Sequence, residues 1–273
     1  MNTEKLKEIS TSDYGSTYQG LSDKHSDVDT FTLVRMPLSE GLFHDLRNQS
    51  TQDADKRTLL TPQRLIQLGL KGSIHSLIML SAQLKQHDDE LPMQSLFKTF
   101  YENHHAFSDL LKARKGTLIR PLFGIMNKDI DRVKKAQDNH ELTGKQVLQE
   151  CVDMNRISIL MAYYEGKLDM NLNYDNFIRD ITFLECGYKL YDLEPLVKIK
   201  RMKQDELLEQ PIVQHFFETR NDYLKQLESH FRNHKSFYKD DNFEHENSIK
   251  QDIVDYLIKQ EYLVLKSKRG CVI

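Results

Sequence analysis

The chain has 273 residues, a formal net charge of -3 and 39% hydrophobic residues, enough for a sizeable core in one large domain or two modest ones. Near-neutral charge argues against a dedicated nucleic-acid coat and leaves room only for a local basic groove. No apolar run approaches the length of a bilayer span, and the polar first residues do not read as a signal peptide. The three cysteines, Cys151, Cys186 and Cys271, lie far apart, form no metal-ligand pair and suggest a reduced, cytoplasmic setting.

In chain order, residues 1–8 read as a short helix or a frayed start, and Ile9 to Ser12 as a short, rather polar first strand. The stretch Tyr14 to Met36 organises the rest. Gly15-Ser16 is a turn signal, Gly20 a second one, and Ser26-Asp27-Val28-Asp29 leads into an apolar, β-branched run that Pro37 ends. If Val28 to Val34 is a strand, alternation of faces points Asp27 and Asp29 the same way. Two carboxylates held close repel unless a cation sits between them. Hard oxygen ligands of this kind suit Mg²⁺ together with substrate phosphates. A Gly-Ser turn offers backbone N–H groups that a phosphate can approach, and a hydroxyl donor. The plain alternative is a polar hairpin loop, since Gly, Ser and Asp dominate turns.

This ordered combination resembles the nucleotidyltransferase superfamily of the DNA polymerase beta type, whose pattern is Gly-Ser, a spacer, then Asp-x-Asp on the next strand. Gly15, Ser16, Asp27 and Asp29 match it. Within the superfamily the likeness is greatest to the predicted nucleotidyltransferases of bacteria and phages, whose Gly-Ser, aromatic, Gly, Ser-Asp-x-Asp arrangement fits Tyr18, Gly20, Ser26, Asp27 and Asp29. The resemblance implies that Gly15, Ser16 and Ser26 contact a nucleoside triphosphate. It implies that Asp27 and Asp29 hold Mg²⁺, or Mn²⁺ in its place, with a third carboxylate from a neighbouring strand. Asp55 is the candidate for that third ligand, with Asp53 in reserve.

Beyond the motif, Leu38 to Leu46 reads as a helical turn, Asn48 to Lys56 as a polar connection and Arg57 to Leu60 as a third strand. Thr61-Pro62 is an N-cap followed by proline at the first helical position, and Lys71-Gly72 ends that helix. Lys71 is either a lysine favoured by the helix dipole or a phosphate ligand. Helices follow over Ser73–Leu84, Pro92–Tyr101, Ala106–Ala113, Leu118–Lys135 and Gly144–Glu165. In the last of these the family carries His-x-x-Arg-Leu and a Gly-Lys-Leu ending. Here Asp153, Arg156 and Ile157 take the first set of places, followed by Gly166, Lys167 and Leu168. Arg156 would either neutralise a triphosphate or pair with a nearby acid. Phe177–Gly187 and Leu193–Leu208 read as further helices or short connections. The basic run Lys198–Lys203 is a solvated face or a phosphate-tracking patch. Pro211 opens a helix to about Phe231, Asn233–Asn247 is a loop, and Ser248–Leu265 is a final amphipathic helix.

The expectation is an α+β protein: a small mixed β-sheet with a nucleotidyltransferase core over residues 1–90, then a mostly α-helical region over 91–273 that closes the cleft. The resemblance implies transfer of an NMP from an NTP to a hydroxyl of RNA, protein or a small molecule, with release of pyrophosphate. The contrary class is a binding protein on a catalytically degenerate version of the fold.

Overall fold

A computed structural model describes residues 7–35, 51–52, 58–86, 104–252, 254–255 and 259. The expected helical turn at Leu38–Leu46, the expected helix at Pro92–Tyr101, most of Ser248–Leu265, and the candidate acids Asp53 and Asp55 lie outside the described residues.

The architecture is α+β, with a small sheet near the start of the chain followed by helices. Strand β1 (Lys7–Tyr14) pairs antiparallel with β2 (Asp29–Arg35), Tyr14 lying opposite Asp29. Strand β4 (Thr58–Leu60) runs parallel to β2, with Thr58 opposite Phe31, and the two-residue β3 (Thr51–Gln52) pairs antiparallel on its outer side. The sheet order is β1-β2-β4-β3. The start of β4 and the start of β2 are therefore at the same end of the sheet, the end where β1 finishes.

β1 is longer than the sequence suggests. Lys7 and Glu8 belong to it rather than to a leading helix. The inward face carries Ser10 and Ser12 where apolar residues would be expected, and both are buried. Helix α2 (Pro62–Leu70) is capped by Thr61, whose Oγ1 accepts from the Arg64 N–H at 3.2 Å. Helix α3 (Ile74–Gln86) then packs along β1. Ser12 Oγ donates to Gln83 Oε1 at 3.0 Å, and the Gln86 amide pairs with both the N–H and the C=O of Asp13. The Gln86 side chain thus satisfies the backbone of an edge strand as a neighbouring strand would.

The helical region comprises α4 (His104–Ala113), α5 (Lys115–Asp138), α6 (Gly144–Tyr164), α7 (Phe177–Phe183), α8 (Leu193–Lys198), α9 (Gln204–Leu208) and α10 (Pro211–Asn233). α6 is the central helix, packed by α5, α7, α8 and α10. It is buried on nearly every side, so that Glu150, Asp153, Asn155 and Arg156 are enclosed along with its apolar residues. One contiguous apolar core runs from Leu21 and Phe31 through α6 to Phe216 and Ile249. The segment expected as Leu193–Leu208 is two helices, because residues 199–203 are drawn out of helical register. Gly144 N–H donates to Met202 O at 3.1 Å, and Thr143 bridges to Lys203. A Cβ on Gly144 would lie 2.1 Å from Ile199 O, so this close approach requires glycine. Among the described residues no helix is long and apolar enough to cross a membrane.

Candidate functional site

The chain leaves β1 at Tyr14 and turns at once through α1 (Gly15–Tyr18), a single helical turn. Gly15 has φ +75°, in the left-handed region that favours glycine. A Cβ there would lie 2.2 Å from Asp29 Oδ2 and 2.8 Å from Asp29 Cβ. The register explains this proximity, since Tyr14 and Asp29 are the last pair of the β1–β2 ladder. Asp29 lies on the same face of β2 as the buried Phe31 and Leu33, and its own exposed carboxylate stands at the rim of that face. Asp27 is exposed in the loop just before β2, which begins at Asp29 rather than Val28.

The turn is fixed from below. Leu21 N–H donates to Ser16 O at 2.8 Å and Gln19 N–H to Gly15 O at 3.1 Å. Tyr18 Oη lies 2.9 Å from Ser81 Oγ, and burial pushes the Tyr18 phenol up to about 12. Gln19 Oε1 accepts from an Arg156 guanidinium N–H at 2.8 Å. The same guanidinium donates to Thr182 Oγ1 at 3.0 and 3.2 Å and lies 3.8 Å from Asp153 Oδ1. Arg156 is 1% exposed, and burial pulls its pKa below the usual arginine value. It lies beneath the turn, with Gln19 as its contact there.

The loop from Leu21 to Val28 is held by the basic run. Arg201 Nε donates to Asp23 Oδ2 at 2.7 Å and another of its N–H groups to Asp23 Oδ1 at 3.1 Å. That bidentate contact holds the Asp23 carboxyl well below the usual range despite an opposing desolvation cost. Lys200 Nζ donates to Leu21 O at 2.8 Å and to Ser26 Oγ at 2.6 Å. Ser26 Oγ also donates to Asp23 Oδ1 and accepts from the Asp23 N–H. The Ser26 hydroxyl is thus engaged within the loop. Arg201 also feels the charge of Asp27.

Of the residues singled out in the sequence, the structure brings Gly15, Ser16, Asp29 and, two positions earlier, Asp27 to one end of the sheet. It does not bring Lys71 there. Lys71 caps α2 just before α3, whereas Gln83 and Gln86 at the other end of α3 touch β1, a separation of roughly 18 Å by helical rise. Sequence reasoning missed Asp23 and Gln19, and read Lys200 and Arg201 only as part of the basic run 198–203, as a solvated face or a phosphate-tracking patch, not as the ties of the 21–28 loop. The doubled Ser-Asp of Ser22-Asp23 and Ser26-Asp27, and the lone basic run, were the available signals, but neither names its partner.

Two exposed carboxylates are hard oxygen donors and fit Mg²⁺ or Mn²⁺ better than a softer ion. Among the described residues no third His, Cys, Asp or Glu completes a group with them. Compared with known proteins, the chain matches no family model, no curated protein and no solved structure.

Proposed function

We propose that the protein is a metal-dependent nucleotidyltransferase, moving an NMP from an NTP to a hydroxyl acceptor with release of pyrophosphate. The observation that carries this reading is the contact of the Gly15 backbone with the Asp29 carboxylate. A turn suited to phosphate and a carboxylate suited to a cation share one corner of the sheet. Gly15 is itself buried, with the Asp29 carboxylate against the side a Cβ would take, so the β- and γ-phosphates would be met at the rim of the turn by Ser16, which adds a hydroxyl donor. Asp27 and Asp29 would hold Mg²⁺ or Mn²⁺. Bound there, the ion would supply neutralising charge to the triphosphate and would acidify the attacking hydroxyl. Arg156 and Lys200 act at one remove, keeping the turn and the loop in place through Gln19 and Ser26. Two cations of the basic run are spent on Asp23 and Ser26, which, with the net charge of -3, favours a protein hydroxyl or a small molecule over RNA as acceptor.

The test is incubation with each α-³²P-labelled NTP and Mg²⁺ in a cell extract, beside an Asp27→Asn/Asp29→Asn variant shown to be folded by circular dichroism. Label should pass to RNA, protein or a small product with the wild type alone. Transfer undiminished in the variant would refute the assignment.

A second reading is a nucleotide-binding protein without turnover. It is favoured by the burial of Arg156 and by the lack of a third acid beside Asp27 and Asp29 among the described residues. Such a protein would bind NTP with Mg²⁺ yet release no pyrophosphate with any acceptor.

A further inference from the structure

Glu165 closes α6, and His230 and His234 stand one turn apart at the end of α10. Spacing of four residues places both imidazoles on one helical face. Their rings lie 4.3 Å apart, tilted by 32°. His230 Nε2 is 2.5 Å from Glu165 Oε1. One ligand atom from each of the three residues falls within 4.8 Å of the others, the single such group among the described residues. We propose that Glu165, His230 and His234 form a Zn²⁺ site.

The protonation pattern suits this. His234 Nδ1 lies 2.9 Å from the His230 carbonyl oxygen. A carbonyl can only accept, so Nδ1 is the donor, and the neutral tautomer that makes this bond has its lone pair on Nε2, where a metal would bind. An imidazole N–H fixed by a backbone carbonyl is the usual outer support of a zinc-bound histidine. The carboxylate is fixed as well. Lys167 Nζ is 2.7 Å from Glu165 Oε2, and the Tyr238 hydroxyl donates to Oε1. Zn²⁺ would displace the proton shared by His230 Nε2 and Glu165 Oε1, releasing it to solvent. Zinc bonds of about 2.0–2.2 Å set donor atoms roughly 3.3 Å apart, so His230 and Glu165 must open slightly and the exposed His234 swing inward. Three protein ligands leave a fourth position for water or another ligand. His230 and Glu165 also line a cavity of about 250 Å³ with Ser158, Tyr188, Tyr223 and Gln226, which gives that position somewhere to face.

The site would join the ends of α6 and α10. It stands at the opposite end of α6 from the Gly144–Lys200 contact, about 30 Å away by helical rise. It is independent of the nucleotidyltransferase reading, and its test reads metal binding alone.

The experiment is calorimetric titration of the chelator-treated full chain with Zn²⁺, repeated with Co²⁺ to read the visible bands of a four-coordinate ion. One equivalent should bind tightly, ahead of any weaker uptake at Asp27 and Asp29, with the four-coordinate Co²⁺ bands appearing in step with it. His234→Ala removes an exposed side chain and should leave the fold intact while weakening Zn²⁺ by at least about 100-fold, more than loss of an outer-shell partner produces. His215→Ala, a histidine elsewhere on α10, should bind as the wild type does. No saturable binding, or binding that His234→Ala and His230→Ala leave unchanged, would show the cluster to be an ion pair only and overturn the site.

Discussion

Gly15→Ala tests the corner where the turn meets the carboxylate. Two costs add. The first is conformational: φ +75° costs an L-residue about 1 kcal/mol relative to glycine. The second is steric. The new methyl would lie 2.2 Å from Asp29 Oδ2, 2.9 Å from Cγ and 2.8 Å from Cβ. The exposed carboxylate can rotate away, but the Cβ of Asp29 is fixed by the β1–β2 ladder, so the turn or the strand end must shift. Overpacking of this kind costs roughly 1–3 kcal/mol, and the total expected is about 2–4 kcal/mol. Gly166→Ala is the matched control. It has φ +69° and nothing within 4 Å of its new methyl, so only the conformational cost of about 1 kcal/mol applies. Urea unfolding followed by circular dichroism measures both. Asp29→Ala in the Gly15→Ala background removes Oδ2 and Cγ and should recover part of the loss, a non-additive double-mutant cycle. If Gly15→Ala costs no more than Gly166→Ala, or the cycle is additive, the contact with Asp29 does not exist in solution.

Arg156→Met should destabilise by about 3 kcal/mol or more in the same urea assay, since it strands the buried Asp153 and removes the donor to Gln19 and Thr182. Lys200→Met leaves Leu21 O and Ser26 Oγ without their charged donor, for a loss of roughly 1.5–3 kcal/mol, and limited proteolysis should cut the 21–28 loop sooner. Glu150 supplies a pH dependence. Burial, only partly offset by Arg220, raises its carboxyl from 4.5 to about 7, and burial together with the neighbouring Asp153 raises that of Asp129 to about 6. The folded state binds these protons more tightly than the unfolded state. Stability is therefore highest below pH 4.5 as far as Glu150 is concerned, and falls as pH rises toward 7. At about 1.36 kcal/mol per pH unit the ceiling for Glu150 is about 3 kcal/mol. Glu150→Gln should flatten that part of the urea-midpoint profile and exceed the wild type in stability at pH 8. An unchanged slope would show that Glu150 is ionised in the folded protein.

Much of the frame is legible in the residues. The β-branched run before Pro37 gives β2 within one residue, and Thr61-Pro62 gives the start of α2. The apolar spacing of α6 gives its full length. β1 is less visible because its buried side is Ser10 and Ser12, which answer to the polar end of α3 instead of to an apolar core. The break between α8 and α9 is set by contacts with residues 143–144 and the 21–26 loop, which no local pattern records. The same limit applies at the candidate site. Gly15, Ser16, Asp27 and Asp29 fall within fifteen positions and can be read together. Arg201 and Asp23 are 178 positions apart, and only the fold makes them a pair. Arg156 reads equally as a phosphate ligand or a partner to an acid, because sequence spacing does not reveal that α6 is enclosed on nearly every side.

The enclosure of α6 bears on how the two parts of the chain cooperate. Burying Glu150, Asp153, Asn155 and Arg156 in one helix is costly, and apolar residues of similar volume would pack with less penalty. Each of these groups reaches outside its own helix or serves one that does. Asn155 binds the backbone of Leu190 and Tyr191, Arg156 reaches Gln19, and Asp153 is the counter-charge of Arg156. Together with Lys200 and Arg201, they mean that the Gly15 turn and the loop before Asp27 are each held by cations from the helical region. The sheet alone supplies the ends of β1 and β2, which fix Gly15 against Asp29 but not the course of the chain between them. The helical region therefore acts on the candidate site by positioning: it sets where the turn and the loop stand, while the groups exposed at the rim come from the N-terminal segment.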